Sequence, residues 1–223
     1  MDAMVETETL QGSKIERSKA KRRNAILDAA RDILRGGEEE LSMRALAKRA
    51  NVSLATPYNL FGAKQGVMIA LLRREGAHFL ETLNEERSEN SIERVFEFID
   101  RMFDMYRSDI PYFQALLSTL FLSNDGALRH ELRRPRVAYL KRLLREAVAS
   151  GELGTDISIG LVSRQLLGLN IFFIQEWVNG NMTLERACLE TEFGFSVILL
   201  ALTKEAGRAS LVARNMQLEA QID

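Results

Sequence analysis

Helix breakers are rare in this chain. Its 223 residues include only three prolines, Pro57, Pro111 and Pro135, and 14 glycines, so long stretches lack any residue that stops a helix. A sandwich or barrel would need turn residues about every 8–12 positions. The sequence therefore predicts an all-α fold. With 46% hydrophobic and 27% charged residues, the chain has the composition of a globular protein with a sizeable core.

Several classes of protein are excluded by simple features. The single cysteine, Cys188, rules out an internal disulfide and fits a reducing compartment, and its apolar neighbours predict a small core residue. The longest uncharged stretch, residues 110–124, is too short to span a bilayer. The first residues, with Asp2 and Glu6, lack the layout of a signal peptide. We therefore expect a cytoplasmic protein with no membrane partner.

The charge is divided unevenly along the chain. Between Lys14 and Arg74 there are 14 basic and six acidic residues, whereas from Glu75 onward 16 basic residues face 22 acidic ones. A basic end on an acidic body indicates an anionic partner for the first 74 residues. Charge alone is equally compatible with a solvated polar face, so a second feature must decide.

That second feature is a helix-turn-helix pattern in residues 42–61. Ser42 can cap a short helix, Asn51 tolerates the left-handed turn that ends it, and Ser53 can cap the next helix. Pro57 must then lie in the first turn of this second helix, where a missing N–H costs least. An ordinary helical hairpin remains the alternative at this point.

The second helix carries side chains suited to the major groove of DNA. Asn59 can bond an adenine edge, Thr56 can meet a phosphate or a thymine methyl, and the Tyr58 hydroxyl can reach a phosphate. No lysine or arginine lies in residues 54–61. Phosphate affinity must therefore come from neighbouring cations, for which the candidates are Arg44, Lys64, Lys19, Lys21, Arg22 and Arg23.

Residues 22–72 carry the motifs ILDAA at 26–30, SMRALA at 42–47, VS at 52–53 and YNLFGAK at 58–64. With these motifs the segment resembles the amino-terminal domain of TetR-family transcriptional regulators. The resemblance implies a homodimer in which the third helix contacts bases while Thr56, Tyr58 and Lys64 contact the DNA backbone. The candidate DNA-binding residues are Arg44, Ser53, Thr56, Tyr58, Asn59, Lys64, Lys21, Arg22 and Arg23.

Three positions depart from the family pattern. Asn51 stands where glycine is frequent, Ala63 where a serine cap is common, and Gly66 where a glutamate is common. Ala63 cannot cap a helix, and a glycine inside a helix costs about 1 kcal/mol relative to alanine. We therefore expect a weak start to the fourth helix.

The resemblance also implies the domain organisation. We expect a disordered tail at 1–13, a three-helix helix-turn-helix domain at 14–72, a larger helical effector-binding and dimerisation domain at 73–207, and a second tail at 208–223. Two long helices, roughly 156–178 and 183–204, carry more apolar surface than one subunit can cover. Pairing them with a second copy as a four-helix bundle would bury it, and the resemblance assigns homodimerisation to these last two helices.

The middle helices are rich in aromatic residues and indicate a cavity for a small, largely apolar effector. The candidate lining residues are Phe96, Met102, Phe103, Phe113, Leu117, Phe121, Tyr139 and Phe172, and the candidate polar anchors are Gln114, Arg101, Arg164 and Asn170. Phe and Met stripes at helical spacing are also typical of plain core, so both interpretations stay open.

Nothing in the sequence favours an enzyme. The G-x-S-x-G, phosphate-binding, dinucleotide-binding and H-E-x-x-H motifs do not occur, and the only histidines are His78 and His130. We expect no catalytic site, metal or cofactor. The predicted function is sequence-specific DNA binding by a transcriptional regulator, most often a repressor in this family, released from a near-palindromic operator by its effector. The alternatives are an activator of the same family or a helical protein-interaction scaffold that does not bind DNA.

Overall fold

The computed structural model describes the backbone of residues 2–37, 40–83, 88–123, 125–156 and 158–222, and the side chains of these residues except 2–14, 132, 205 and 206. Within these ranges the chain forms ten α-helices, and the only extended pairing is an isolated antiparallel bridge between Leu153 and Thr203. The prediction of an all-α fold is confirmed.

The helices follow one another with short connections. They are α1 (Asp2–Gly36), α2 (Met43–Arg49), α3 (Ala55–Phe61), α4 (Lys64–Thr82), α5 (Ser91–Arg107), α6 (Ile110–Leu122), α7 (Gly126–Ala149), α8 (Ile159–Val178), α9 (Leu184–Leu202) and α10 (Glu205–Ile222). Backbone contacts divide the chain into two compact units, Met1–Leu72 and Arg73–Asp223. Across the described part of the chain, every helix is too short or too polar to cross a lipid bilayer.

The first unit is built around the apolar stripe of α1. Ile26 and Ala30 are fully buried, together with Leu46 of α2 and Val67 and Leu71 of α4. Each of the fully buried isoleucine, leucine and valine side chains contributes about 1.5–3 kcal/mol to the stability of the fold relative to an exposed one. This small core holds α2 and α3 against α1 and so fixes the helix-turn-helix.

The turn between α2 and α3 follows the predicted chemistry. The Ser42 hydroxyl accepts a hydrogen bond from the Ala45 N–H at 3.1 Å, which confirms the predicted cap. Asn51 adopts a left-handed φ of 52°, and the N–H of Val52 donates to the Ala47 carbonyl at 3.0 Å. These bonds satisfy carbonyls that would otherwise be left free at the end of α2. Asn51 therefore adopts the left-handed conformation for which a glycine is frequent in the family.

The start of α3 differs from the predicted cap. The Ser53 hydroxyl lies 2.9 Å from the Thr56 hydroxyl, and no side chain caps the helix, which begins after Leu54. The Thr56 N–H donates instead to the Ser53 carbonyl at 2.9 Å. The prediction of a Ser53 cap is wrong because the neighbouring threonine offers its hydroxyl a competing partner. Pro57 lies in the first turn of α3, as predicted.

Position 66 requires a glycine because two backbone segments approach closely there, although glycine is a poor helix former. The chain reverses at Gly62, which has a φ of 75°, and α4 begins at Lys64. A Cβ atom built on Gly66 would lie 2.0 Å from the Phe61 carbonyl oxygen. The expected weak point at the start of α4 is therefore a place where only glycine lets the two backbones approach.

The second unit has a large aromatic core centred on α5, which packs on α6, α7 and α9. Tyr106 is buried in an edge contact with Phe113, with ring centroids 5.4 Å apart, and stacks on Trp177 at 5.7 Å. The Asn90 side chain caps α5 by accepting from the Glu93 N–H, and the Glu152 carboxylate accepts from the Ile92 N–H at 3.0 Å. An acidic group at a helix amino terminus is stabilising because of the helix dipole.

The two segments expected to be tails are helical in the structure. Residues 208–222 belong to α10, which packs on α9 and buries Leu211 and Leu218. These leucines are seven residues apart, too sparse a pattern to stand out in the sequence. At the other end, α1 extends back to Asp2 in a segment that has no proline and contains good helix formers. Both expectations of a tail are therefore corrected.

Candidate DNA-binding surface and effector cavity

Helix α3 buries one face and leaves its polar face open. Pro57 is buried and Leu60 and Phe61 are half-buried, whereas Asn59 is exposed and Tyr58 is 51% exposed. Thr56 is half-buried, and its hydroxyl is paired with that of Ser53. Asn59, predicted to bond an adenine edge, and Tyr58, predicted to reach a phosphate, therefore face solvent.

An apolar residue adjoins this polar face. Leu54, which directly precedes α3, is 52% exposed. An exposed leucine at this position can meet a thymine methyl in the major groove. The sequence could have pointed to this contact, because Leu54 is an apolar residue at the start of the recognition helix that the core does not need. Leu54 is not among the residues that the sequence pattern selects.

The cations around α3 come from other helices of the same unit. Arg44 is exposed on α2, and Lys21 and Arg22 are exposed on α1. The Lys64 ammonium at the start of α4 lies 3.2 Å from a carboxylate oxygen of Glu40. This ion pair is exposed, so it is weak and a DNA phosphate can replace it.

Arg23 has a partner within the protein. Its guanidinium carbon lies 4.4 Å from the centroid of the Phe61 ring, and one of its N–H groups donates to the Leu60 carbonyl at 3.2 Å. This side chain satisfies a carbonyl at the end of α3 and covers its anchoring phenylalanine. In this structure Arg23 therefore supports the position of α3, although the sequence names it as a phosphate contact.

The second unit contains a small interior cavity with a polar end. Its volume is about 10 Å³, which is room for about one water molecule. The lining residues are Tyr106, Leu117, Phe121, Leu167, Ile171 and Ile174, together with the polar side chains of Arg133, Arg136 and Asn170. A neighbouring cavity of about 270 Å³ shares Phe121, Arg133 and Ile171 with it.

Asn170 is the least satisfied group in this cavity. Its side chain is only 1% exposed, and neither its amide nitrogen nor its amide oxygen has a hydrogen-bond partner within the described structure. Leaving a buried amide unpaired costs about 1–3 kcal/mol. Opposite it, the Tyr106 hydroxyl is 3.3 Å from a donating nitrogen of Arg136, and burial raises the pKa of Tyr106. The cavity therefore presents neutral and cationic hydrogen-bonding groups to any polar ligand atom.

Only part of the predicted effector set lines this cavity. Leu117 and Phe121 do, and so does the predicted anchor Asn170. The remaining six predicted residues do not line it. Four of them are packed in the core: Phe96, Met102, Phe103 and Phe113. Tyr139 stacks on Phe98 with ring centroids 5.5 Å apart, and Phe172 is 54% exposed. Helical spacing shows which residues share a face but not which helix covers it, so contact of these six residues with an effector stays a prediction.

Sequence comparison bears directly on the first unit. The sequence profile of the bacterial regulatory proteins of the tetR family matches residues 26–71, which include α2, α3 and the exposed Tyr58 and Asn59. Residues 26–71 therefore form a DNA-binding domain of the TetR family.

Similarity to individual TetR-family proteins extends beyond this segment. The chain is 25% identical to the fatty acid metabolism regulator protein of Bacillus subtilis over 160 residues, which span 69% of the chain and 81% of that relative. It is 40% identical to the HTH-type transcriptional repressor KstR of Mycobacterium tuberculosis over 76 residues, 34% of the chain and 33% of that relative. These relatives confirm a DNA-binding transcriptional regulator rather than an enzyme, and they do not favour the scaffold alternative.

The fold is shared with solved TetR-family structures. The structure of FadR from Bacillus subtilis in complex with stearoyl-CoA matches with a TM-score of 0.64 at 20% identity, over 76% of this chain and 95% of that one. At this level of identity the likeness establishes the fold alone.

A titratable cluster in the second unit lies away from the interior cavity. Asp100 of α5 and Cys188 and Glu192 of α9 place their ligand-type atoms within 4.8 Å of one another. Burial, followed by the nearby Glu192, raises the pKa of Cys188 to about 12, which keeps this thiol protonated at neutral pH. The prediction that Cys188 is a core residue is confirmed.

Proposed function

We propose that the chain is a homodimeric repressor that binds a near-palindromic operator and leaves it when a small, largely apolar effector binds. The observation that carries this proposal is the exposed polar face of α3, with Tyr58 and Asn59 open to solvent and the cations Arg44, Lys21 and Lys64 on the helices around it. A relative named as a transcriptional repressor supports repression rather than activation. Duplex DNA is found in the cytoplasm of bacteria, so we place the protein there.

Dimerisation through α8 and α9 accounts for their exposed apolar residues. Leu161 and Phe172 of α8 and Val197 of α9 are about half exposed. The two helices already pack closely within one protomer, since a Cβ on Gly194 would lie 2.1 Å from a methyl carbon of Leu169. A second copy of this helix pair would bury the remaining apolar surface in a four-helix bundle. Two recognition helices then lie about 34–36 Å apart, or a multiple of that spacing.

The effector is proposed to bind in the neighbouring cavity of about 270 Å³, where Leu120, Phe121 and Ile171 suit a hydrocarbon chain. The adjoining interior cavity has room for about one water molecule, and its unpaired Asn170 amide offers a polar group beside that site. The similarity to a fatty acid metabolism regulator, and the stearoyl-CoA in one structural neighbour, support an acyl chain. An effector that prefers a dimer with the wrong helix spacing shifts the population away from DNA, and DNA must weaken effector binding by the same factor.

Selection of bound fragments from a genomic library of the source organism tests the proposal. We expect the sequenced fragments to share a near-palindrome whose half-sites lie one helical turn, or a multiple of it, apart. Fluorescence-anisotropy titrations of the selected duplex should then show affinity that falls steeply with salt. Fragments without a shared sequence, or with a single half-site bound by a monomer, would contradict the proposal.

A further inference from the structure

Helix α7 is strongly basic although the region that contains it is acidic overall. Seven of its residues are lysine or arginine and two are glutamate. Five basic side chains recur at the spacing of one helix face: Arg129, His130, Arg133, Arg134 and Lys141. Positions three and four apart lie on the same side of a helix, so these side chains form one stripe. From position 129 to position 141 the stripe extends about 18 Å.

This stripe forms one wall of a groove in the second unit. The groove has a volume of about 620 Å³, and Arg164 of α8 adds a sixth basic side chain to it. The complete lining is Gly126, Arg129, His130, Arg133, Arg134, Val137, Ala138, Lys141 and Arg164. None of these described lining residues is acidic, so the groove offers a continuous positive surface to an anion.

The groove adjoins the cavities that lead to Asn170. Arg133 lines the groove, the 270 Å³ cavity and the interior cavity, and Arg129 lines the first two. Phe121 and Ile171 line both inner cavities. The buried amide of Asn170 at the inner end has no hydrogen-bond partner within the described structure. The three spaces therefore share lining residues: the groove is basic, the 270 Å³ cavity has both apolar and basic walls, and the interior cavity holds the buried amide.

We propose that this groove binds the phosphate-rich head of an amphipathic effector whose apolar chain enters past Phe121. This inference rests on the proposed effector control and adds the chemical class of the head group. One carboxylate would offset one charge, whereas the stripe carries several charges over a length that suits an extended head with two or more phosphates. Arginine is well suited to such a ligand because its guanidinium forms paired hydrogen bonds with phosphate oxygens.

The single tryptophan offers a direct readout. Trp177 is 3% exposed and stacks on Tyr106, which lines the interior cavity. We would titrate the full chain with stearoyl-CoA, with stearate, and with coenzyme A that carries no acyl chain, and follow Trp177 fluorescence. Stearoyl-CoA should bind at least about tenfold more tightly than stearate at low salt. High salt should remove most of this advantage, because the head group contacts are ionic.

Paired variants on α7 locate the head group. Arg129 and Arg134 are exposed, so R129A/R134A should fold normally by circular dichroism. It should lower stearoyl-CoA affinity about tenfold or more and lower stearate affinity by a much smaller factor, since stearate offers a single carboxylate to these cations. The matched control is Arg145→Ala, an exposed arginine of α7 outside the groove lining, which should change neither affinity.

The outcomes separate this inference from the effector proposal. Equal affinity for stearoyl-CoA and stearate, no stearoyl-CoA response, or equal losses in R129A/R134A and R145A would overturn the head-group site. If stearate alone still released the selected duplex, effector control would stand without this site. If stearoyl-CoA bound with the predicted preference but left DNA binding unchanged, the head-group site would stand and effector control would fail. Binding of a nonspecific duplex that R129A/R134A abolishes would assign the groove to nucleic acid and overturn the inference.

Discussion

The molecule has two surfaces that suit polyanions, and they are built in opposite ways. Helix α3 carries no lysine or arginine, and its cations are supplied by Lys21 and Arg22 of α1, Arg44 of α2 and Lys64 of α4. Helix α7 carries its own stripe of cations beside a cavity. A surface that must distinguish one base from another benefits from neutral side chains with directional hydrogen bonds, whereas a surface that holds a charged head benefits from concentrated charge.

The difference also predicts different responses to salt. Affinity for duplex DNA falls with salt in proportion to the number of phosphates contacted, whichever bases are present. Contacts of neutral side chains with base edges add specificity with little salt dependence. We therefore expect substitutions on α3 to change specificity, and substitutions of the surrounding cations to change the salt slope.

The largest expected effect comes from Gly66→Ala, which breaks the geometry of the first surface. The new Cβ would lie 2.0 Å from the Phe61 carbonyl oxygen, so the end of α3 must shift. We expect a stability loss of about 2 kcal/mol by thermal unfolding and a DNA affinity at least about tenfold lower.

Gly76→Ala is the matched control on the same helix. A Cβ at Gly76 meets no described atom within 4 Å, so this change should be neutral or stabilise the protein by about 0.5–1 kcal/mol. Equal behaviour of the two alanine variants would show that the close approach at Gly66 has no role.

Asn59→Ala sharpens the comparison on the neutral helix. Asn59 is exposed on α3 and can make paired hydrogen bonds with one adenine. The variant should lose about 1–3 kcal/mol of discrimination at one base pair and keep its salt slope. Competition titrations with the selected duplex and with single-base variants measure this. Equal losses on every sequence would mean that Asn59 contacts only phosphate.

Lys64→Ala tests the role of the surrounding cations. Removing one phosphate contact should weaken binding to all sequences and reduce the slope of log affinity against log salt by about one unit. Glu40→Gln is the complementary variant, since it removes the carboxylate that lies 3.2 Å from the Lys64 ammonium. It should strengthen DNA binding slightly. An unchanged slope in the anisotropy titration of K64A would contradict a phosphate contact by Lys64.

The smallest expected effect concerns two neighbouring carboxyl groups of the second unit, Asp100 and Glu192. Burial raises the pKa of Asp100, as does the nearby Asp104, and burial and Asp100 together raise the pKa of Glu192. A carboxyl whose pKa is raised on folding stabilises the protein at low pH, and this contribution is lost as pH rises through the raised pKa.

Asp100→Asn should therefore raise the unfolding temperature at pH 8, and the gain should shrink at pH 5. Differential scanning fluorimetry at the two pH values measures it. The comparison variant is Asp104→Asn on the same helix, which relieves the repulsion with Asp100 but also removes a carboxylate 2.7 Å from an Arg107 nitrogen, so it should raise the unfolding temperature less than D100N does. A gain for D100N that is the same at both pH values would argue against a raised pKa.

The first unit could be predicted in more detail than the second, because its signals are local. The cap at Ser42, the left-handed Asn51 and Pro57 in the first turn of α3 each depend on neighbours within a few residues. The role of Gly66 could not be predicted, because it depends on how closely two consecutive helices approach.

In the second unit, long-range packing decides which residues form the cavity. Phe96 and Leu117 have equally good helical spacing, but only Leu117 lines the cavity, because other helices cover Phe96. The basic stripe of α7 was present in the sequence, but the net acidic charge of the region after Glu75 concealed it. Helix α10 was not predicted because its apolar pattern is too sparse: among the side chains described, its only buried leucines are Leu211 and Leu218.

Photo-cross-linking tests the central claim that α3 is the surface that contacts DNA. The selected duplex, with iodouracil in place of thymine at individual positions, would be irradiated with the full chain, and the cross-linked peptides would be identified by mass spectrometry. We predict cross-links in α3, at Tyr58 above all, because this aromatic side chain is half exposed beside Asn59. Cross-links confined to α7, at residues 129–141, would contradict the account.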